Sequence, residues 1–349
     1  MREVKIGGCK IGSGQPCFII AEAGVNHNGN REMALKMVDA AKAAGADAVK
    51  FQTFRAEKIV TPDAPMAVYQ RQATGIDEFQ LQMLKRLELS PEAHRELQAY
   101  CRERDLLFLS TPFDEESADF LEMLGIPAFK VPSGEITNMP FLEHIAGKGR
   151  PIILSTGMSS LEEVRAAADL IRKIGNNYLI LLHCVSAYPA NAADANLRAM
   201  QTMERAFDVP VGYSDHTLGV EVALAAVALG ACVIEKHFTL DRNLSGPDHR
   251  ASLEPDELRT LVSGVRTVEA ALGHGRKEPA PCEAETASVA RKSVVAARHI
   301  PAGAVLTEEM VALKRPGSGL HPSLLSLLLG RKARHDIPAG TLLTLEMLV

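Results

Sequence analysis

The sequence predicts a TIM (β/α)8 barrel followed by a small separate module, and three observations carry that expectation. From about residue 17 to 272, eight β-rich runs alternate with amphipathic helical stretches. The runs are continuously apolar, as parallel strands covered by helices on both faces are. Beyond residue 272 the composition changes to a proline- and charge-rich stretch and then to a segment that repeats itself. About eight strand–helix units over roughly 250 residues match a barrel better than an open doubly wound sheet.

In chain order, the glycines of "GGCKIGSGQP" read as a hairpin turn ahead of the first barrel strand. The strand-like runs follow as "CFIIAE", "DAVKFQTF", "LLFLSTPF", "AFKVPSGE", "PIILSTG", "YLILLHC", "VPVGYSD" and "CVIEKHF". Between them lie helical patterns such as "NREMALKMVDAAKAAG", "SLEEVRAAADLIRKIG" and "GVEVALAAVALG". The barrel is expected over 1–275, a linker over 276–290 and the terminal module over 291–349. Within that module "IPAGAVLTEEM" (300–310) recurs as "IPAGTLLTLEM" (337–347), which suggests two similar strand-turn-helix pieces. A module below about 70 residues has a marginal core and leans on the barrel or a partner chain.

With 349 residues, 46% of them hydrophobic and 23% charged, the chain can bury a large core. A formal net charge of −5 argues against a general nucleic-acid binder. No apolar run reaches membrane-spanning length, and "MREVKIGGCK" lacks the apolar core of a signal peptide, so a cytoplasmic protein is expected. Cys9, Cys17, Cys101, Cys184, Cys232 and Cys282 form no C-x-x-C pair and no metal-like spacing, which fits reduced thiols.

The polar strand endings point to chemistry. Glu22, Lys50, Gln52, Thr111, Ser133, Glu135, Ser155, Tyr188, Ser214 and His237 fall at or just beyond strand C-terminal ends. In a barrel those ends share one rim, where active sites sit. Any one of them could be only a loop residue; the set is harder to dismiss.

"GYSDHT" (212–217) invites a hydrolase triad, but Ser214, Asp215 and His216 are consecutive, and a triad needs side chains converging from separate places. His216 instead forms one βαβ unit with His237 of "VIEKHFTL", so both lie near the ends of neighbouring parallel strands. Neighbouring strands are about 4.8 Å apart, close enough for two imidazoles to share an ion. The plain alternative is two independent histidines, one in a loop and one in the core. Without a third recognisable ligand a structural zinc is disfavoured, and an exchangeable Mn²⁺ or Mg²⁺ suits two histidines plus water and substrate oxygens.

Lys50 and Lys130, with Thr111, Ser133 and Ser155, suit a phosphate or a phosphate-bearing carboxylate. There is no Walker loop and no G-x-G-x-x-G, so a nucleotide is not indicated. A lysine inside the apolar "AVKFQ" needs a partner. Glu22 of "AEAGVNHNG" and Glu135 of "PSGEITN" could move protons, orient hydroxyls or neutralise the rim lysines. Asn26 and Asn28 could simply shape the "NHNG" turn, and "GPDH" places Asp248 within reach of an ion beside His237.

Together "AEAGVNHNG", "AVKFQT", "STPFD", "VPSGE", "ILSTGM", "LLHCVSAYP", "GYSDHT", "EKHFTLDR", "GPDH" and "KRPGSG" give the whole chain a resemblance to the sialic acid synthases, bacterial N-acetylneuraminate synthases and their relatives. The resemblance implies a TIM barrel joined to a C-terminal SAF, or antifreeze-like, domain, which the repeated IPAG segment resembles. It also implies a domain-swapped homodimer in which one chain's SAF domain covers the other's barrel mouth. The implied reaction condenses phosphoenolpyruvate with N-acetylmannosamine and water, releasing phosphate. By the same resemblance Lys50, Thr111, Lys130, Ser133, Ser155 and Ser214 hold phosphoenolpyruvate. His216 and His237 bind a divalent ion, usually Mn²⁺, with Mg²⁺ or Co²⁺ as alternatives. Asn26, Gln52, Tyr188 and Asp248 position the sugar, Arg315 of "KRPG" reaches its N-acetyl group from the partner chain, and Glu22 and Glu135 supply acid–base chemistry.

Ser186 of "HCVSAYP" stands where some members of that family carry Asn or Thr, a variation also found among synthases for legionaminic and pseudaminic acids. N,N'-diacetyllegionaminate synthesis is therefore the alternative reaction, with pseudaminate third. A heptulosonate or octulosonate synthase would also want lysines and a metal, but not the attached module. A non-catalytic carbohydrate binder has no use for lysines, carboxylates and paired histidines on one rim.

Overall fold

The computed structural model describes residues 3–349, which fall into two compact units with the break after Gly273. The first begins with an antiparallel hairpin, β1 (Val4–Ile6) and β2 (Cys9–Ile11). Eight strands follow: β3 (Phe18–Gly24), β4 (Ala48–Thr53), β5 (Leu107–Pro112), β6 (Phe129–Val131), β7 (Ile152–Ser155), β8 (Leu179–Cys184), β9 (Val211–Asp215) and β10 (Val233–His237). They are the eight runs expected from the sequence. All their ladders are parallel, in the order β5-β4-β3-β10-β9-β8-β7-β6. The outermost strands β5 and β6 lie beside each other, so the sheet curls into a near-closed barrel.

Local chemistry sets the helices between these strands. Asn30 caps Arg31–Ala44 by accepting from the Met33 N–H, and Gly45, at φ 85°, ends that helix in the left-handed region open to glycine. Ser160 and Glu163 form a capping box at the start of Leu161–Lys173. Pro91 and Pro255 open the helices Pro91–Glu103 and Pro255–Leu272, where a missing N–H costs nothing. The apolar faces of these helices bury against the outside of the barrel in the main core.

A second core fills the barrel's lower half. Ile20, Leu109, Ile153, Ile180, Leu182 and Val233 point inward there, and Val4, Ile6 and Ile11 of the hairpin pack among them. The expected hairpin thus closes the end of the barrel opposite the strand C-termini. Among the described residues no helix is long and apolar enough to cross a membrane, and all six cysteines are free thiols.

The second unit pairs β11 (Ser293–Ala296) with β12 (Val311–Lys314) around its own small core. The two IPAG copies meet through an Ile300–Ile337 bridge, and Gly303 and Gly340 occupy the same left-handed conformation at φ 77° and 84°. Each copy ends in a three-residue 3₁₀ turn, Glu308–Met310 and Leu345–Met347, where the repeat suggested a helix. Part of the stretch expected as linker is also ordered: Pro281–Glu283 and the alanine-rich helix Ala284–Ala290 belong to this unit.

Candidate active site

The two-residue period of a strand builds the site. Moving up the inward face, Ile20 is followed by Glu22, Ala48 by Lys50, Leu109 by Thr111, Ala128 by Lys130, Ile153 by Ser155 and Val233 by Glu235. Each strand carries its inner face from apolar to polar in one step. A charged layer therefore lies directly on the apolar plug, and above it opens a cavity of about 560 Å³. All the residues expected at the site line this cavity except Asn26 and Arg315.

The floor is a buried ion network. Lys50 Nζ lies 2.6 Å from Glu22 and 3.7 Å from Glu235, and donates to the Thr111 hydroxyl at 2.9 Å. Lys130 lies 3.4 Å from Glu235, whose carboxylate also accepts from the Ser214 hydroxyl at 2.9 Å. The lysine inside "AVKFQ" thus has the partners it needs. Burial pushes the Glu22 carboxyl up to about 7, with Lys50 opposing and Glu235 reinforcing that rise. Burial acts on Glu235 too, but Lys130, Lys50 and the Ser214 hydroxyl outweigh it and hold that carboxyl well below its usual range. Burial lowers the Lys130 ammonium, an effect Glu235 only partly restores.

Glu235 was missed from the sequence because it sits inside the apolar-looking "CVIEKHF". A signal was present: it lies two residues before His237 and so shares that residue's face.

Donors collect on the β6–β7 side. The Ser155 hydroxyl is buried without a partner, and Ser133 Oγ accepts from the Gly157 N–H at 2.9 Å and lies 3.1 Å from Cys184 Sγ. A side chain at Gly157 would collide with Ser133 and Cys184, its Cβ 2.9 and 2.8 Å from their polar atoms. Glycine there lets its N–H reach the Ser133 hydroxyl and leaves room for Ser133, Cys184 and Ser186 around it. Glu135 stands on the rim, where its carboxylate accepts from Asn138 Nδ2 at 2.7 Å.

The imidazoles of His216 and His237 have centroids 5.6 Å apart, and Tyr188 packs against both, at 4.2 and 5.8 Å. His216 Nδ1 donates to the Val185 carbonyl at 2.7 Å, which leaves the Nε2 lone pair free. His237 Nδ1 is buried with no partner. Burial pushes both rings below their ordinary range, so both are neutral at pH 7, the form that binds metals. The pair fits a divalent ion that takes its other ligands from water or substrate. Among the described residues no group of three or more His, Cys, Asp or Glu is poised on one ion, so Asp248 does not complete a ligand set with the two histidines.

Asp248 instead lines the cavity, its carboxyl raised to about 6 by burial. Gln52 and Ser186 also face it, and Tyr69 enters from the long β4–β5 excursion to stack on Tyr188 at 5.2 Å. That excursion, with the loop after β3, supplies an apolar wall of Val25, Phe54, Met83 and Leu87. Asn26 stands behind the cavity, donating to the Phe238 carbonyl and the Ser252 hydroxyl at 2.9 Å each. Arg315 belongs to the second unit and is exposed.

Known proteins share this sequence and fold. The family model described as the NeuB family matches residues 37–277, and that of the SAF domain matches residues 291–349. N,N'-diacetyllegionaminic acid synthase of Legionella pneumophila is 49% identical over 347 residues, covering 98% of each chain. The enzyme of the same name from Campylobacter jejuni is 49% identical over 318 residues, covering 90% of this chain and 95% of its own. Among solved structures, N-acetylneuraminic acid synthetase of Leptospira borgpetersenii superposes with a TM-score of 0.73 at 39% identity, over 82% of this chain and 95% of its own.

Proposed function

Because this chain belongs to the NeuB family and is a phosphoenolpyruvate-dependent C–C bond-forming synthase, we propose that it joins phosphoenolpyruvate to 2,4-diacetamido-2,4,6-trideoxymannose, giving N,N'-diacetyllegionaminate and phosphate. The observation that carries the acceptor is the division of the cavity between a charged floor and an apolar wall. A 6-deoxy sugar with two acetamido groups offers methyl groups to Val25, Phe54, Met83 and Leu87. N-acetylmannosamine, the acceptor placed first by sequence resemblance, would set hydroxyls against that wall without partners, at a desolvation cost. The two diacetyllegionaminic acid synthases at 49% identity support the same choice.

On the floor, Lys50, Lys130 and the hydroxyls of Thr111, Ser133, Ser155 and Ser214 would hold phosphoenolpyruvate. Glu22 can pass a proton near neutral pH, and protonating it frees the Lys50 ammonium for the substrate's charges. Glu235, held ionised on the same floor, would face the carbon that becomes electron-poor once the enol attacks the acceptor, and would lower the energy of that charge. Water adds at that carbon, and the adduct expels phosphate by C–O cleavage. A divalent ion, Mn²⁺ first, held by His216 and His237 would polarise the acceptor's aldehyde. Gln52, Tyr188 and Asp248 would orient the acceptor, with Asn26 acting through the loop it pins. Arg315 would reach the acceptor from a second copy of the chain in a domain-swapped dimer.

The test is phosphate release from phosphoenolpyruvate with Mn²⁺ and each acceptor in turn. The expected result is a higher kcat/KM for the diacetamido sugar by up to about 10²-fold, the most an apolar wall achieves against an added hydroxyl. Preference for N-acetylmannosamine would make the protein an N-acetylneuraminate synthase and sink the proposed acceptor.

A further inference from the structure

On the opposite face of β9 and β10 lies an ion pair that faces away from the cavity. Asp215 and Lys236 alternate with the inward-facing Ser214, Glu235 and His237, so they point into the layer between sheet and helices. Each is 1% exposed, and Lys236 Nζ lies 2.7 Å from Asp215 Oδ2. Two charges in an apolar layer are a weak source of stability, since well-packed apolar residues often do as well or better. Their hydrogen bonds say what they hold instead. Asp215 Oδ1 accepts from the N–H and the hydroxyl of Thr217 at 2.9 and 2.8 Å, and the Lys236 ammonium donates to the Thr217 carbonyl. All three polar groups of Thr217 are therefore bound to the pair.

His216 lies between Asp215 and Thr217, and His237 follows Lys236 directly. The other polar contacts of His216, from Nδ1 to the Val185 carbonyl and from the Ala190 N–H to its own carbonyl, tie it to the loop after β8. The ion pair ties it to β10, the strand that carries His237.

We propose that Asp215 and Lys236 are positioning residues that hold His216 and His237 at the separation one divalent cation requires. This rests on the reading of the two histidines as ion ligands.

The test separates position from stability in the full-length protein. Asp215→Val combined with Lys236→Met removes both charges and leaves neither buried alone, whereas Lys236→Met by itself leaves Asp215 unpaired. Mn²⁺ affinity is measured by titration calorimetry, and thermal unfolding is followed on the metal-free proteins. The double variant leaves the buried N–H, hydroxyl and carbonyl of Thr217 without these partners, so it is expected to unfold below the native temperature. Still folded at the temperature of the titration, it is expected to bind Mn²⁺ about 10–100-fold more weakly, as loss of support behind a ligand does. The single variant is expected to unfold at a lower temperature. Asp215→Asn, which keeps an acceptor for Thr217 but loosens the tie to Lys236, gives the same readout should the double variant not fold. Native Mn²⁺ affinity in a folded variant overturns the positioning role. A native protein that binds no Mn²⁺ overturns the ligand reading and this role with it.

Discussion

Glu22 and Glu235 face one another across the Lys50 ammonium, 2.6 and 3.7 Å from it, yet their carboxyls are driven in opposite directions. Burial dominates at Glu22, which Lys50 alone does not offset. Glu235 has two lysines and a serine hydroxyl, and stays ionised. Two carboxyl groups pushed apart in this way are suited to different tasks, one moving a proton and the other stabilising positive charge.

Glu22→Gln is expected to lower kcat about 10²–10⁴-fold. The KM for phosphoenolpyruvate should change little, because glutamine keeps an oxygen for Lys50. The limb of the kcat/KM profile centred near pH 7 should vanish with it. A variant that keeps that limb would assign it to another group.

Glu235→Gln leaves Lys50 and Lys130 buried with a single carboxyl between them. Losing one partner of a buried ion pair costs about 3–5 kcal/mol, so urea unfolding should show a loss of that order alongside lost turnover. Full stability with lost turnover would mean that Glu235 serves the reaction alone.

Acid should weaken the fold before it protonates most carboxylates. Burial lowers His27 to about 3 and His249 to about 4, so each contributes stability above pH 6.5 that is lost as pH falls. Between pH 6.5 and 5 that loss is about 2 kcal/mol per histidine. Glu22 works in the opposite sense: its raised carboxyl contributes stability below pH 4.5 that is lost as pH rises through about 7. Asp248, raised to about 6, acts in the same sense as Glu22, but burial also lowers His94 and His183. The four histidines together outweigh the two carboxyls, so the native protein should unfold at lower urea concentration at pH 5 than at pH 7. In His27→Gln the gap between the two should narrow; an unchanged gap would exclude His27 as a source.

The barrel was legible because its strands are continuous apolar runs with polar ends, and the period of two places those ends on one face. That argument found Lys50 and Ser155 without knowledge of their neighbours. It passed over Glu235, whose neighbours are apolar on one side and charged on the other, and it gave no partner for Asp215 or Lys236, which share the opposite face. The apolar wall was not legible either. Phe54 and Met83 come from a long excursion between β4 and β5, and nothing local to a loop says which cavity it borders. Asn26 looked like a site residue from its motif, but a buried amide held by the Phe238 carbonyl and the Ser252 hydroxyl is a matter of tertiary geometry.

The strand side chains of the lower barrel, backed by Val4, Ile6 and Ile11 of the hairpin, make the cavity above them a blind well. Whatever needs the charged floor has to go in first, because a molecule resting against the wall above would bar its way. Departures run in reverse, with the deepest fragment last out. Crowding the mouth with acceptor should therefore slow turnover instead of speeding it, through a queue imposed by the apolar side chains at the far end.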